Sequence, residues 1–374
     1  MSTNAGKPQL FIGLMSGTSA DGVDAALVEV ENESIHLIDF SETAIPKSLK
    51  QSLIELNQKQ NIELNQLCYL EKAVADLFIQ AVQSLLTKNH LNASDITAIG
   101  SHGQTIFHAP DIPMTLQIGH PAFIAKQTGI TTVADFRVDD MALNGQGAPF
   151  APAFHQKLFE QNLDSFAVNI GGIANISFVP NPTSNKKILG WDTGPGNGIM
   201  DELCQTVFNC PYDKNGAIAA TGTINNTLLT LLKEHHYFEQ PAPKSTGRET
   251  FNLDWVYTLI NQHNIDITPT DLLTTLCELT AQTISDQINL FHSPSAPINI
   301  VGGGAYNRYL ISRIQAQLNP HEVKASSADN INPNAIEAMM CAWLAQQRVN
   351  NQPVSLASIT GAERDAVLGG IWHP

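Results

Sequence analysis

The chain contains one pattern twice: two apolar runs joined by a polar tip that carries glycine. The first copy, FIGLMSGTSADGVDAALVEV, begins at Phe11, and the second, FAVNIGGIANISFVP, begins at Phe166. Each copy is typical of a β-hairpin, in which short strands flank a turn. A chain of 374 residues also exceeds the usual size of a single core. The repeat therefore predicts two related α/β domains, each built on one hairpin.

A loop after residue 135 predicts the boundary between these domains. A short apolar strand at 130–134 is followed by a long stretch with glycines at 145 and 147. Glycine permits large changes in backbone direction, so this stretch suits a hinge. We therefore expect one domain over 1–135, a second over 136–374, and a ligand-binding cleft between them.

Residues 188–204, ILGWDTGPGNGIMDELC, have the features of a phosphate-handling turn. A short apolar run ends at Asp192, and Gly194 and Gly196 then lead into an amphipathic segment. Glycine lets the backbone approach a ligand closely, and free N–H groups at the start of the following helix attract anions. A single turn of this kind is more often structural, so its weight depends on partners elsewhere in the chain.

Three further glycine turns supply such partners. They are GTSADG at 17–22, the glycine pair at 171–172 and GGG at 302–304, each beside an apolar run. A P-loop fold is excluded, because the chain has no GxxxxGK[ST] motif. The turns instead predict a nucleotide held between two related domains, with its phosphates at the hairpins and its base at 302–304.

Polar groups near these turns are candidates for binding a substrate. His102 and Gln104 are expected at the C-terminal end of a buried strand, where open α/β sheets bind ligands, although a structural histidine is about as frequent. Arg137 could hold a substrate carboxylate with its bidentate fork. An ion pair with one of the three aspartates within three residues of it is the commoner outcome.

Two other stretches are expected to be structural. The loop APKSTGRE at 242–249 is predicted to face solvent, with Lys244 and Arg248 exposed, and a role in domain closure is the less frequent alternative. The apolar pattern over 332–347 predicts a core helix, on which Glu337 suits the positive end of the helix dipole.

Composition limits the partners. The chain carries 20 Lys and Arg against 35 Asp and Glu, and its net charge of −15 is spread over both predicted domains. Nucleic acids and anionic membranes need clustered cations, so neither is an expected partner. The stretch MSTNAGKPQ lacks the regions of a signal peptide, and no apolar run is long enough to span a bilayer. With five cysteines and no CxxC pair, we expect a cytoplasmic protein with reduced thiols.

The motifs together resemble the anhydro-N-acetylmuramic acid kinase family, in the superfamily of sugar kinases, Hsp70-type chaperones and actin. The matching strings run along almost the whole chain: GLMSGTSADGVD, IGSHGQT, VADFR, GQGAP, NIGGIANIS, DTGPGN, PKSTGRE, FNL and GGGAYN. The resemblance implies an actin-like ATPase fold with two related RNase H-like domains. It also implies ATP, Mg²⁺ and an amino-sugar substrate whose 1,6-anhydro ring is opened by water while O6 is phosphorylated, in cell-wall recycling. It allows a homodimer.

The resemblance also assigns roles to individual residues. Asp192 would be the catalytic base that activates water. The residues implied in nucleotide binding are Gly17, Thr18, Ser19, Ala20, Asp21, Gly22, Val23, Asp24, Gly171, Gly172, Asn175, Gly194, Gly196, Asn197, Gly302, Gly303 and Gly304. The residues expected to bind the sugar are His102, Gln104, Arg137 and Gln146. The superfamily usually has an aspartate where this chain has Met15, so the metal would be held through waters, Asp21 or Glu337.

Two other functions fit the same residues. An ordinary sugar kinase of this fold would use Asp192 to deprotonate a sugar hydroxyl, and solvent ¹⁸O would then not enter C1 of the product. A nucleotide-driven switch would hydrolyse ATP slowly whether or not an amino sugar is present, and it would tolerate Asp192→Asn.

Overall fold

The computed structural model describes residues 8–17, 20–31, 34–59, 61–159, 163–291, 293, 295–329 and 331–374. These residues form helices and strands in two separate sheets. The chain divides into two compact units. Unit 1 comprises the residues up to Phe154 together with Ala335–Pro374, and unit 2 comprises His155–Asn334.

The strands and helices are numbered in chain order. The strands are β1 (Gln9–Ser16), β2 (Gly22–Glu31), β3 (Ser34–Ala44), β4 (Ile96–Ala109), β5 (Met114–Ile118), β6 (Thr132–Ala134), β7 (Ser165–Ile170), β8 (Ile173–Val179), β9 (Leu189–Pro195), β10 (Ile298–Val301), β11 (Val323–Ala325) and β12 (Gly370–Trp372). The α-helices are α1 (Lys47–Lys59), α2 (Leu64–Lys88), α3 (Pro121–Thr128), α4 (Phe136–Met141), α5 (Ala151–Phe159), α6 (Gly198–Leu203), α7 (Asn226–Lys233), α8 (Leu253–Gln262), α9 (Pro269–Asn289), α10 (Arg308–Gln317), α11 (Ile336–Val349) and α12 (Ala357–Thr360).

The two sheets share one plan. In unit 1 the order is β12-β6-β4-β1-β2-β3, where β1, β2 and β3 are antiparallel and β4 runs parallel to β1. In unit 2 the order is β11-β10-β7-β8-β9, where β7, β8 and β9 are antiparallel and β10 runs parallel to β7. The path β3-β2-β1-β4-β6 therefore corresponds to β9-β8-β7-β10-β11. The prediction of two related α/β domains with an actin-like ATPase fold is confirmed.

Helix α11 covers one face of the unit 1 sheet, and glycines make room for it. A Cβ built on Gly13 of β1 would lie 1.8 Å from the Ala338 carbonyl oxygen, and one on Gly100 of β4 would lie 1.9 Å from the Cys341 oxygen. Because side chains alternate along a strand, the neighbours of Gly13 point to the other face. Residues such as Leu14 there join the apolar core that also contains α2.

This packing places the compact units differently from the predicted division at 135/136. The last forty residues group with unit 1 because α11 packs on β1 and β4, and the division near the middle of the chain falls after Phe154. The glycine-rich stretch after residue 135 lies within unit 1 and contains helix α4.

Two predicted strand ends also lie elsewhere. Strand β4 continues to Ala109, so His102 and Gln104 lie inside it rather than at its end. Strand β9 continues to Pro195, so Asp192 also lies within a strand. In both cases pairing with a neighbouring strand continues past the polar residues.

Unit 2 has its own apolar core, across which α9 packs. The Trp191 indole N–H donates to Gln287 Oε1 of α9 over 3.0 Å, and its ring stacks on Phe291 with centroids 5.3 Å apart. This anchors β9 one residue before Asp192. No helix within the described ranges is both long and apolar enough to cross a bilayer.

Candidate functional site

The hairpin tip of unit 1 is fixed by side chains from two strands. The Ser16 hydroxyl donates to the Gly22 carbonyl over 3.0 Å and to Gln104 Oε1 over 2.7 Å. The Gln104 amide donates in turn to the Gly17 carbonyl over 3.1 Å. Gln104 therefore holds the tip, because both ends of its carboxamide contact the protein. Two of the expected nucleotide-binding residues, Thr18 and Ser19, lie outside the described residues.

The acids of the hairpin differ in environment. Asp21 is exposed and forms an ion pair with Lys50. Asp24 is half-buried on β2 and is paired in register with Met15 of β1 and with Glu42 of β3. Burial, followed by the nearby charges of Glu42 and Glu337, raises the pKa of Asp24 to about 7. An acid is thus present beside Met15, on the neighbouring strand.

His102 and Arg137 form a pair within unit 1. Arg137 Nε donates to His102 Nε2 over 2.8 Å, and Arg137 Nη1 donates to the Gly147 carbonyl over 3.1 Å. His102 Nε2 is therefore the acceptor, and Nδ1 carries the proton that it shares with the Gly103 carbonyl over 2.9 Å. Burial and then Arg137 lower the pKa of His102 to about 3, so it stays neutral. By accepting from Arg137 Nε, it orients the guanidinium.

The expected ion pair of Arg137 with a neighbouring aspartate is not found among the described residues. Asp140 accepts from the Thr360 hydroxyl and the Gly147 N–H, and Asp139 accepts from the Gly369 N–H, each over 2.8 Å. These acids fix the loop that carries Gln146, whose N–H donates to the Thr360 carbonyl over 3.0 Å. The Arg137 guanidinium thus donates to a neutral histidine and a carbonyl, and Glu337 is the acid whose charge acts on it.

Glu337 lies on the first turn of α11, where it is exposed. The surrounding protein displaces some of the water around its carboxyl and so raises the pKa of that group, and the charge of Arg137 partly offsets this increase. Three or more His, Cys, Asp or Glu side chains do not gather as a metal site anywhere in the described ranges.

In unit 2, Asp192 is half-buried on β9, in register with Asn175 of β8. Burial raises the pKa of its carboxyl to about 6, although the Thr246 N–H, which donates to Asp192 Oδ2 over 2.9 Å, lowers it. One carboxylate oxygen is thus fixed by a backbone donor. A carboxyl group with a pKa near 6 can accept a proton efficiently at neutral pH.

A segment that we call the Asp192 clamp, residues 237–246, surrounds this aspartate. The Tyr237 hydroxyl donates to the Asp192 carbonyl over 2.8 Å, and the Asp192 N–H donates to the Lys244 carbonyl over 2.9 Å. The Lys244 ammonium is buried: it donates to the carbonyls of Tyr237 over 2.9 Å and Phe238 over 3.3 Å, and lies 4.6 Å from the centre of the Tyr237 ring. The prediction that Lys244 is exposed is wrong.

The glycine turns of unit 2 come together. The N–H groups of Gly196 and Gly198 donate to the Gly172 carbonyl over 3.0 Å each, and the Asn197 N–H donates to the Gly171 carbonyl over 2.7 Å. These three N–H groups, the last of which is the first of α6, are therefore used by the protein. They join the second hairpin to the turn that follows Asp192.

The 302–304 turn lies beside Asn197, in the same region of unit 2. The Asn197 amide donates to the Ile170 carbonyl over 3.0 Å, and a Cβ built on Gly303 would lie 3.6 Å from that amide nitrogen. Unit 2 thus gathers all of its predicted nucleotide-binding residues around the ends of β7, β8 and β9.

Comparison with known proteins gives a consistent match. A family model described as anhydro-N-acetylmuramic acid kinase matches residues 9–374. A protein of that name from Hydrogenovibrio crunogenus is 55% identical over 366 residues, which cover 98% of each chain. Those from Vibrio cholerae and Saccharophagus degradans are 46% and 45% identical, and the matches cover 98% of this chain and 99% and 100% of theirs.

Proposed function

Because the chain belongs to the anhydro-N-acetylmuramic acid kinase family, we propose that Asp192 is the general base of its reaction. The protein is an ATP-dependent sugar kinase that acts on anhydro-N-acetylmuramic acid. In the proposed step, the Asp192 carboxylate takes a proton from water as the water oxygen bonds to the anomeric carbon. The bond from that carbon to the bridging oxygen breaks, and this oxygen, O6, accepts the γ-phosphoryl group of ATP. The products are N-acetylmuramic acid 6-phosphate and ADP.

The environment of Asp192 is the observation that carries this proposal. Its carboxyl has a pKa of about 6, so it is mostly ionised at pH 7 and still basic enough to accept a proton. The Thr246 N–H fixes Oδ2, which orients the other oxygen. A base must lie within hydrogen-bond reach of the proton that it removes. Hydrogen bonds fix both the backbone and the carboxylate of Asp192, which suits that requirement.

We propose that ATP is bound by the glycine turns. The unit 1 hairpin, from Gly17 to Asp24, would contact phosphates, and in unit 2 the 171–172 turn and Asn175 would do the same. The turn at 302–304 would contact the adenosine. Catalysis of phosphoryl transfer depends mainly on positioning and on neutralising the charge of the transferred group.

Mg²⁺ would supply part of that charge neutralisation when bound. It usually keeps several waters and needs only one or two protein carboxylates besides the phosphates. Of the two candidate ligands, Asp21 is paired with Lys50, whereas Glu337 is exposed and its carboxyl accepts no hydrogen bond from the described residues. We therefore propose Glu337 as the residue that holds the ion, through water.

For the sugar, we propose that Arg137 binds the lactyl carboxylate. Its guanidinium is oriented by neutral His102, and it forms no ion pair with its neighbouring aspartates in the described structure. Gln146 would contact the sugar directly. Gln104 would contribute to sugar binding from the hairpin tip, which its side chain holds. We place the reaction in the cytoplasm, where ATP is available, as a step in the reuse of cell-wall sugars.

The test is an ADP-release assay with three sugars. Anhydro-N-acetylmuramic acid should support ADP release, whereas glucose and N-acetylglucosamine should not. Equal rates with all three would support an ordinary sugar kinase. Slow ADP release that is independent of any sugar would support a nucleotide-driven switch.

A further inference from the structure

Some glycines in unit 2 are not required by the fold. A Cβ on Gly196 would lie 2.4 Å from the Gly171 carbonyl oxygen, so this position has no room for a side chain. A Cβ on Gly171 would meet nothing closer than 3.6 Å, and the same holds for Gly172. Neither residue of this pair has the positive φ that favours glycine. The protein therefore leaves room for a Cβ at both positions, and a ligand that comes close to the backbone accounts for two glycines there.

One cationic side chain borders this space. The atom nearest to a Cβ built on Gly172 is Arg248 Cδ, at 3.6 Å, and a Cβ on Gly198 would lie 3.3 Å from Arg248 Nε. The guanidinium is exposed, and its Nη2 donates to the Gly198 carbonyl over a long 3.5 Å. Arg248 therefore lies along the turn, and most of its N–H donors have no strong hydrogen-bond acceptor in the described protein.

Other groups near this turn are already used. Lys244, in the same loop, is buried against two carbonyls, and the N–H groups of residues 196–198 donate to the 171–172 turn. Asp201 of α6 is the nearby acid: burial raises its pKa to about 6 and Arg248 lowers it. Even so, no carboxylate lies within ion-pair distance of Arg248 in the described part of the chain. The positive charge at the turn is thus not neutralised by a close partner.

We propose that Arg248 binds the polyphosphate of the nucleotide at the 171–172 turn. This rests on the proposed function, because it takes the ligand to be ATP. A guanidinium presents a planar fork of donors that matches phosphate oxygens in a bidentate manner. The glycine pair lets the phosphate come close to the backbone, and Arg248 supplies a positive charge beside it.

The test measures binding of ADP and of adenosine to Arg248→Met by isothermal titration calorimetry. ADP should bind about 10- to 100-fold more weakly than to the wild type, because a charge-assisted hydrogen-bond pair is lost. Adenosine, which has no phosphate, should bind equally well. Arg248→Lys should recover only part of the ADP affinity, because a point charge cannot form the fork. Arg308→Met removes another exposed arginine of unit 2 and should match the wild type.

The outcomes separate this inference from the function on which it rests. If the wild type binds ADP and Arg248→Met binds it equally well, the assignment of Arg248 is wrong and the kinase proposal stands. If Arg248→Met weakens ADP and adenosine alike, Arg248 supports the fold of the site and the assignment also fails. If the wild type binds neither ATP nor ADP, the proposed function and the inference fall together.

Discussion

Replacing Asp192 by asparagine should abolish activity and yet stabilise the protein, by an amount that depends on pH. The folded state raises the pKa of this carboxyl from 3.8 to about 6, mainly through burial. The folded protein therefore binds this proton more tightly than the unfolded chain does. This tighter proton binding stabilises the folded state fully below pH 3.8, and its contribution is lost as the pH rises through 6. At pH 8 the ionised carboxyl should cost about 3 kcal/mol, and at pH 4 less than about 1 kcal/mol.

Asparagine removes this cost because it carries no charge, and its carbonyl oxygen can still accept from the Thr246 N–H. We therefore expect Asp192→Asn to have a higher Tm than the wild type at pH 8, with a difference that shrinks towards pH 4. Differential scanning calorimetry of both proteins at several pH values measures this, with the exposed Asp111→Asn as the matched control. The reasoning is refuted if the difference in Tm is the same at all pH values, or if the variant is less stable at pH 8.

Three further substitutions test the remaining contacts. Lys244→Met should lower kcat and reduce stability by about 1–3 kcal/mol, because two buried carbonyls lose their donor; an unchanged pH profile of kcat would argue against a role in holding Asp192. Gly13→Ala should lower the Tm, because its Cβ would overlap a backbone carbonyl of α11, whereas Gly171→Ala should keep the Tm of the wild type and weaken ATP binding. Arg137→Ala should raise the KM for the anhydro sugar about tenfold or more, and Arg364→Ala, at an exposed arginine elsewhere in unit 1, should not; an unchanged KM would show that Arg137 does not bind the sugar.

The repeated hairpin was enough to predict two related α/β domains, because each copy carries its strand pattern and turn locally, and the family resemblance supplied the actin-like fold. The glycine turns were also recognisable, but their roles were not. Gly196 and Gly171 look alike in the sequence, and only the packing shows that the first is required by the fold and the second is not. The family resemblance assigned nucleotide binding to both residues.

The contacts that the sequence missed are those made over long separations in the chain. Lys244 lies in a polar loop whose backbone accepts from the Asp192 N–H, 52 positions earlier, and its buried ammonium donates to the carbonyls of Tyr237 and Phe238. The pairing of His102 with Arg137 similarly joins residues 35 positions apart. The C-terminal helix returns to unit 1 because Gly13 and Gly100 leave room for it, and nothing in the helix itself indicates that partner.

The attack of water at the anomeric carbon is tested most directly by carrying out a single turnover in H₂¹⁸O. The label should enter the C1 hydroxyl of N-acetylmuramic acid 6-phosphate and not its phosphate, as read by mass spectrometry of the quenched product. Unlabelled N-acetylmuramic acid, kept in the same water for the same time, measures exchange without the enzyme. A product with no label at C1 above this control, or with label in the phosphate, would contradict the proposed role of Asp192.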